Sequence, residues 1–318
     1  MSFLILILGF ALLIKGADVF VEGASSIAKK FNVPSMIIGL TIVAMGTSAP
    51  EAAVSITSSL AGQNDMSVAN VVGSNFFNIL IVLGVSSIIA KLPVQKDTIK
   101  KDTPFLILVS VFLLVFGTNL KLGRIEGLVF LILFTYFLVD TIKSAKKGTE
   151  NTSLETGETA IAIETETTSE ISLLKTILVS IIGIVGIVVG GDMVVKSATS
   201  IATSFGMSAN LVGLTIVAVG TSLPEFVTSV VAIKKGETEI AIGNVIGSNV
   251  FNILLVLGLS ALINPISMSM FAFIDIIFMT SITLLLYLFM KKNNSLVKSQ
   301  GIILVILYIA YMTYTIIR

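Results

Sequence analysis

The sequence predicts an all-α polytopic membrane protein, with ten transmembrane helices arranged as two inverted five-helix repeats. Three observations carry that prediction. The chain of 318 residues is 55% hydrophobic and 12% charged, with a mean hydropathy of +1.03, which is more apolar than a water-soluble domain sustains. Apolar blocks long enough to cross about 30 Å of hydrocarbon recur from end to end. Segments of the first half return in the second at one constant displacement, residue 39 at 213 and residue 68 at 242.

In chain order the blocks span about 2–27, 35–61, 66–90, 103–120, 124–142, 172–200, 209–234, 239–263, 269–290 and 300–316. The first lacks a basic leader, and its small residues run on into polar helix, so it is expected to be a retained helix and not a cleaved signal. The second carries GLTIVAMGTSAPE (39–51), which returns in the seventh as GLTIVAVGTSLPE (213–225). The third carries VANVVGSNFFNILIVLG (68–84), which returns in the eighth as IGNVIGSNVFNILLVLG (242–258). A weaker pair, GADVFVEGASSIA (16–28) and GGDMVVKSATSIA (190–202), joins the first block to the sixth. Residues 1–145 therefore form one unit and 172–318 the other. Between them, 146–171 holds six glutamates and many threonines, a solvated acidic linker with little to bury.

Five spans per unit is an odd number, so the second copy enters the membrane from the opposite side, the arrangement of inverted-repeat transporters. If the spans alternate, the loops near 29–33, 91–102, 143–175, 234–239 and 291–299 share one side, and they hold fifteen of the twenty basic residues. The positive-inside rule makes that side cytoplasmic, with both termini extracellular. There is no cysteine and no histidine, which excludes disulfides, thiolate metal sites and imidazole proton shuttles.

The chemistry collects where the apolar runs are interrupted. Pro50 has no N–H and crowds the carbonyl of Gly46, so its helix must bend and leave the Gly46 and Thr47 carbonyls without their usual partners. Pro224 does the same to Gly220 and Thr221. Broken backbone at membrane depth is tolerated only where protein, water or a ligand satisfies it. Glu51 and Glu225 add a carboxylate at that depth, where an ionised group costs at least about 2.5 kcal/mol and marks function. In the third and eighth spans Ser74 and Asn78, and likewise Ser248 and Asn252, stand four apart on one helix face. Packing between helices would also use such residues. The donor set is all oxygen, which suits Ca²⁺ or Na⁺ and not Zn²⁺ or Cu²⁺. Two ionised glutamates balance one Ca²⁺ or two Na⁺, whereas three Na⁺ would leave a net positive charge.

The paired GTSAPE/GTSLPE and GSNFFN/GSNVFN motifs, the duplicated halves and the acidic linker resemble the sodium/calcium exchanger family of the calcium/cation antiporter superfamily. The resemblance implies that helices 2, 3, 7 and 8 form the ion-binding core, while helices 1 and 6 slide against it. It places Glu51 and Glu225 at a shared Ca²⁺ site with the Thr47 and Thr221 carbonyls. Ser48, Ser74 and the Ala44 carbonyl fall at one flanking Na⁺ site, and Ser222, Ser248 and the Ala218 carbonyl at the other. Asn78 and Asn252 take the middle position. Some members, notably potassium-dependent ones, carry an aspartate where this chain has Asn252, which weakens the case for K⁺ dependence without deciding it.

The expected activity is antiport of Na⁺ against Ca²⁺ across the plasma membrane, three sodium ions per calcium, by a functional monomer embedded in lipid, with no cofactor and no nucleic-acid partner. A proton/calcium antiporter on the same scaffold and a cation channel are the alternatives. An enzyme is not expected, because Ser48 or Ser222 as nucleophile would need a general base. Asp18 and Asp192, a further repeated pair, are left outside the site.

Overall fold

The computed structural model describes residues 2–62, 64–155, 173–206 and 218–317. The chain is built from helices: α1 (Ser2–Lys30), α2 (Ser35–Thr47), α3 (Ala49–Leu60), α4 (64–89), α5 (98–116), α6 (Arg124–Glu155), α7 (Leu173–Ser204), α8 (Leu223–Lys234), α9 (Thr238–Ile263), α10 (Met270–Asn293) and α11 (Lys298–Ile317). Among the described residues, six helices are long and apolar enough to cross a membrane, namely α1, α4, α6, α7, α9 and α10. The pair α2 and α3, bent by 49°, brings the number to seven if the two are taken together as one span. The expected span 103–120 is helical over Thr103–Phe116, and 300–316 lies within α11. The first half of the expected span 209–234 lies outside the described residues, except for one helical turn at Ala218–Gly220. Backbone of α6 continues to Glu155, inside the stretch read as linker; 156–172 fall outside the described residues.

Burial sorts the helices. The apolar windows of α4 and α9 are 72% and 78% buried, whereas those of the other four long helices are 28–33% buried. The two repeat-related helices therefore form the centre, with α1, α6, α7 and α10 around them. The outer helices turn large aliphatic side chains outward, among them Leu4, Ile7 and Leu8 of α1 and Ile181, Ile182 and Val185 of α7. That is the surface a lipid solvent selects, since lipid tails match leucine in polarity.

Small residues bring the first and sixth spans together. A methyl group added at Gly16 of α1 would lie 2.7 Å from the Ile187 amide nitrogen, and one at Gly183 of α7 would lie 2.8 Å from that of Phe20. Backbone thus meets backbone along α1 and α7, the close approach that glycine permits between membrane helices. At the end of α8, Lys235 pairs with Asp18 of α1 at 2.9 Å and with Glu22 at 3.5 Å, and Glu237 accepts from Ser25 and pairs with Lys29 at 3.7 Å.

Two short antiparallel pairings tie the loops. Strand β1 (Leu92–Pro93) pairs with β4 (Ser295–Leu296), and β2 (Lys121–Leu122) pairs with β3 (Ile266–Ser267). Asn294, at φ 47°, turns the chain out of α10 into β4, the left-handed helix terminus that asparagine tolerates.

Candidate functional site: an oxygen-lined centre between the two halves

The break in the second span occurs at Ser48. This residue leaves helical geometry at φ −83° and ψ 6°; α3 restarts with Pro50 in its first turn and Glu51 beside it. Ser222 repeats the geometry at φ −91° and ψ 5°, followed by Pro224 and Glu225 in the first turn of α8. Proline fits there because the first helical amides have no intrahelical acceptor, and a helix N-terminus favours a carboxylate. The expected interruption at each proline is thus observed two residues before it, with the serine as the break point. No backbone hydrogen bond closes on the Thr47 carbonyl among the described residues; the chain resumes with the Ala52 amide on the Ser48 carbonyl at 3.1 Å.

The two breaks differ in one respect. The Ser48 amide donates to the Ala44 carbonyl at 3.0 Å, four residues back, while the Ser222 amide donates to Val219 at 3.2 Å, three back. The Ala44 carbonyl also accepts from the Thr47 hydroxyl at 3.4 Å. Only the backbone of Ala218 falls within the description.

The halves interlock through their hydroxyls. Ser48 donates to Oε1 of Glu225 at 2.8 Å, and Ser222 donates to Oε1 of Glu51 at 3.0 Å, with Ser74 adding a longer contact to the same oxygen at 3.5 Å. Each carboxylate is fully buried and accepts from the serine at the other half's break. Around them Asn70 donates to the Glu51 carbonyl at 3.2 Å and to Ser55 at 2.9 Å, while its Oδ1 accepts from Thr221 at 3.5 Å. Asn244 repeats the pattern, donating to the Glu225 carbonyl at 3.4 Å and to Ser229 at 3.1 Å, and accepting from Thr47 at 3.0 Å.

Above this layer Asn78 donates to Oδ1 of Asn249, and Asn252 donates to Oδ1 of Asn75, both at 3.2 Å. Both stand where α4 and α9 loosen into π-helical turns, Asn78–Val82 and Asn252–Leu257; such turns within α-helices often mark functional sites.

Of the candidate residues, Glu225, Ser48 and Thr47 fall into one hydrogen-bonded group through Asn244, and Glu51, Ser222, Ser74 and Thr221 into a second through Asn70, each group spanning both halves. Asn78 and Asn252 join each other's half through Asn249 and Asn75, and Ser248 is buried with its Oγ unbonded. Asp18 and Asp192 stay outside, ion-paired to Lys235 and Lys196. The second ring of asparagines, Asn70, Asn75, Asn244 and Asn249, was not among the candidates. They lie in the same duplicated strings at the same displacement, so the repeat held the signal; only their role as bridges needed three dimensions.

A pattern of orphaned oxygens follows. Oε2 of Glu51 and of Glu225, Oδ1 of Asn78 and of Asn252, and Oγ of Ser248 are buried and lack a hydrogen-bond partner. Buried polar atoms are bonded as a rule, and exceptions call for an explanation such as an ion. Hard carboxylate, amide and hydroxyl oxygens are what an alkali or alkaline-earth cation takes.

Comparison with known proteins decides the family. The model of the sodium/calcium exchanger protein family matches residues 1–143 and again 175–317, nearly the whole chain in two copies. The chain belongs to the sodium/calcium exchanger family. It is accordingly a membrane antiporter and not an enzyme. The sodium/calcium exchanger MaX1 of Methanosarcina acetivorans is 33% identical over 340 residues, covering 98% of this chain and 97% of its own. The inner membrane protein YrbG of Escherichia coli is 38% identical over 267 residues, covering 82% and 79%. A solved structure of the sodium-calcium exchanger NCX_Mj, soaked with Na⁺ and Sr²⁺, superposes with a TM-score of 0.85 at 33% identity, covering 98% of this chain and 97% of that one. The crossed serine–glutamate pairs and the unpartnered oxygens lie within the two stretches that the family model matches.

Proposed function

We propose that the chain exchanges Na⁺ for Ca²⁺ by alternating access at the centre between Glu51 and Glu225. The observation that carries this reading is the crossed pairing of Ser48 with Glu225 and Ser222 with Glu51, with one oxygen of each carboxylate unpartnered. A cation there meets two carboxylates from two halves at once, and Asn78, Asn252, Ser74, Ser248 and the carbonyls of Ala44, Thr47, Ala218 and Thr221 complete an all-oxygen set. One Ca²⁺ neutralises the two carboxylates. Three Na⁺ would overshoot by one, so the cycle moves net charge, worth about 2.3 kcal/mol for each 100 mV of membrane potential.

In this reading the chain has ten spans in two inverted halves and works as a monomer in the plasma membrane, with both termini extracellular and the acidic linker 146–171 cytoplasmic. The loop pairings support the alternation: β1 and β4 join loops assigned to the basic side, and β2 and β3 join loops assigned to the other. Two helices meeting through glycine backbone, α1 and α7, are suited to sliding as one body against the buried α4–α9 core.

The test is ⁴⁵Ca²⁺ uptake into proteoliposomes under separately imposed Na⁺, K⁺ and H⁺ gradients. Uptake driven by an outward Na⁺ gradient and biased by membrane potential is the expected result; uptake indifferent to Na⁺ would overturn it. The unpartnered Oε2 atoms could also hold protons, and uptake following the pH gradient alone would replace Na⁺ by H⁺ as the driving ion.

A further inference from the structure

Asn75 and Asn249 sit at the centre of the molecule, each 1% exposed, one turn from Asn78 and Asn252 on α4 and α9. Their side-chain hydrogen bonds go to neither glutamate. What they touch is the opposite half: Asn75 Oδ1 accepts the side-chain amide of Asn252, and Asn249 Oδ1 accepts that of Asn78. The consequence lies at the other end of each amide. Oδ1 of Asn78 and Oδ1 of Asn252 are buried and unbonded.

An asparagine side chain has two ends of nearly equal size and opposite character, a carbonyl oxygen and an NH₂ group. Turned one way it coordinates a cation; turned the other it presents two N–H dipoles and repels it. Sterics alone do not choose between them. Here the choice is made at a distance. Asn75 directs its own Nδ2 at the Asn249 backbone carbonyl and at Met279 Sδ, both at 3.5 Å, so its Oδ1 faces Asn252. Asn252 must then turn Nδ2 toward Asn75 and Oδ1 away from it.

We propose that Asn75 and Asn249 are positioning residues of the ion path: each accepts the amide of the middle asparagine in the other half and so turns that residue's Oδ1 toward the transported cation. The proposal rests on the assignment of Asn78 and Asn252 as ion-facing residues. It adds a coupling between halves, because the orientation of each ligand is set by the repeat to which it does not belong. Asn75, anchored by its own two contacts, fixes Asn252 more firmly than Asn249 fixes Asn78, since Asn249 Nδ2 has no partner among the described residues.

The test uses the full chain in proteoliposomes, reading the Ca²⁺ concentration at half-maximal Na⁺-driven uptake. Asn75→Leu removes the acceptor at similar volume and should raise that concentration by about tenfold, the weight of one ligand's orientation to a charge. The decisive arm repeats the substitution in an Asn252→Asp background. A carboxylate has two equivalent oxygens and no wrong way round, so there Asn75→Leu should cost less than about twofold. Should Asn75→Leu fail to fold, Asn249→Leu with and without Asn78→Asp poses the same question from the other half. An equal loss in both backgrounds would mean mere packing and overturn the inference, as would no loss in either. Wild-type vesicles without Na⁺-driven uptake would overturn the exchange reading itself; uptake present with orientation-independent losses would overturn only the positioning.

Discussion

The hydroxyl of Ser48 lies 2.8 Å from Oε1 of Glu225, 177 residues further along the chain. With its mirror contact from Ser222 to Glu51 at 3.0 Å, it means that neither motif is complete within its own half. A hydrogen bond to a buried charged group contributes about 1.5–3 kcal/mol, and both partners here are buried. Ser48→Ala and Ser222→Ala should therefore each weaken ion binding by about tenfold or more. Each flanking serine stands at a separate expected Na⁺ position, so the Na⁺ concentration for half-maximal exchange should rise more than that for Ca²⁺. Measured Na⁺ and Ca²⁺ dependences that shift in equal proportion would contradict the assignment of the serines to flanking sites.

The two glutamates predict opposite effects on transport and on stability. Glu51→Gln and Glu225→Gln keep an oxygen that accepts from the opposing serine, so the fold is retained. Each removes a charge from a site where burying it is expensive. Uptake of Ca²⁺ should fall at least about a hundredfold, while the midpoint of thermal unfolding without divalent ions should stay level or rise. Saturating Ca²⁺ at about 100 times its Kd should stabilise the wild type by about 2.7 kcal/mol and leave the variants unmoved. Thermal unfolding followed by size exclusion, with and without Ca²⁺, reads both effects. Variants that melt far below wild type in the absence of Ca²⁺ would identify the carboxylates as structural.

How far the sequence discloses this site follows from what each feature depends on. Interruption of the second span was legible because proline acts locally: Pro50 forces the restart at Ser48 whatever surrounds it. Glu51 and Glu225 were legible because a charge at membrane depth is anomalous in any context. Asn75 and Asn249 were not, although they share the duplicated strings, because an asparagine on a buried helix looks the same whether it glues helices or orients a neighbour. Their meaning is a contact between residues 177 and 171 positions apart, and no local rule reaches that far. The π-helical turns at Asn78 and Asn252 were hidden for a similar reason, since apolar residues of both stretches fit an α-helix equally well. Lys235 was read as one more charge of a basic loop, and its partners Asp18 and Glu22 became visible only with the packing of α1.

Close packing of the core gives a stability prediction. A methyl group at Gly247 would meet the Leu40 carbonyl oxygen at 2.4 Å and Ala44 Cβ at 2.8 Å. These are atoms of the helix that leads to Ser48, so relief would have to come from moving α2 away from α9. Gly247→Ala should lower stability by about 1–3 kcal/mol, the range for overpacking a filled core, and should reduce exchange further than that loss of fold explains. Calorimetry on the purified protein together with uptake per folded molecule separates the two; unchanged values of both would show that α2 can shift without consequence.

The last prediction concerns motion. Lys235, just past the end of α8, holds Asp18 and Glu22 of α1 at 2.9 and 3.5 Å. At solvent-exposed positions such pairs contribute at most about 1 kcal/mol, so Lys235→Met should leave thermal stability almost unchanged. Its kinetic meaning is larger if α1 slides against the core, because the contact exists in one arrangement and must open in the other. The sequence offers a clean way to ask, since it contains no cysteine. In an Asp18→Cys, Lys235→Cys double variant, a reducible bifunctional thiol reagent of ion-pair length should join α1 to the end of α8 and stop Ca²⁺ uptake. Reductant should restore it, and neither single variant should respond. A cross-linked protein that still exchanges ions at the uncross-linked rate would mean that α1 and α8 keep their relation throughout the cycle, and the sliding element would then have to be sought elsewhere.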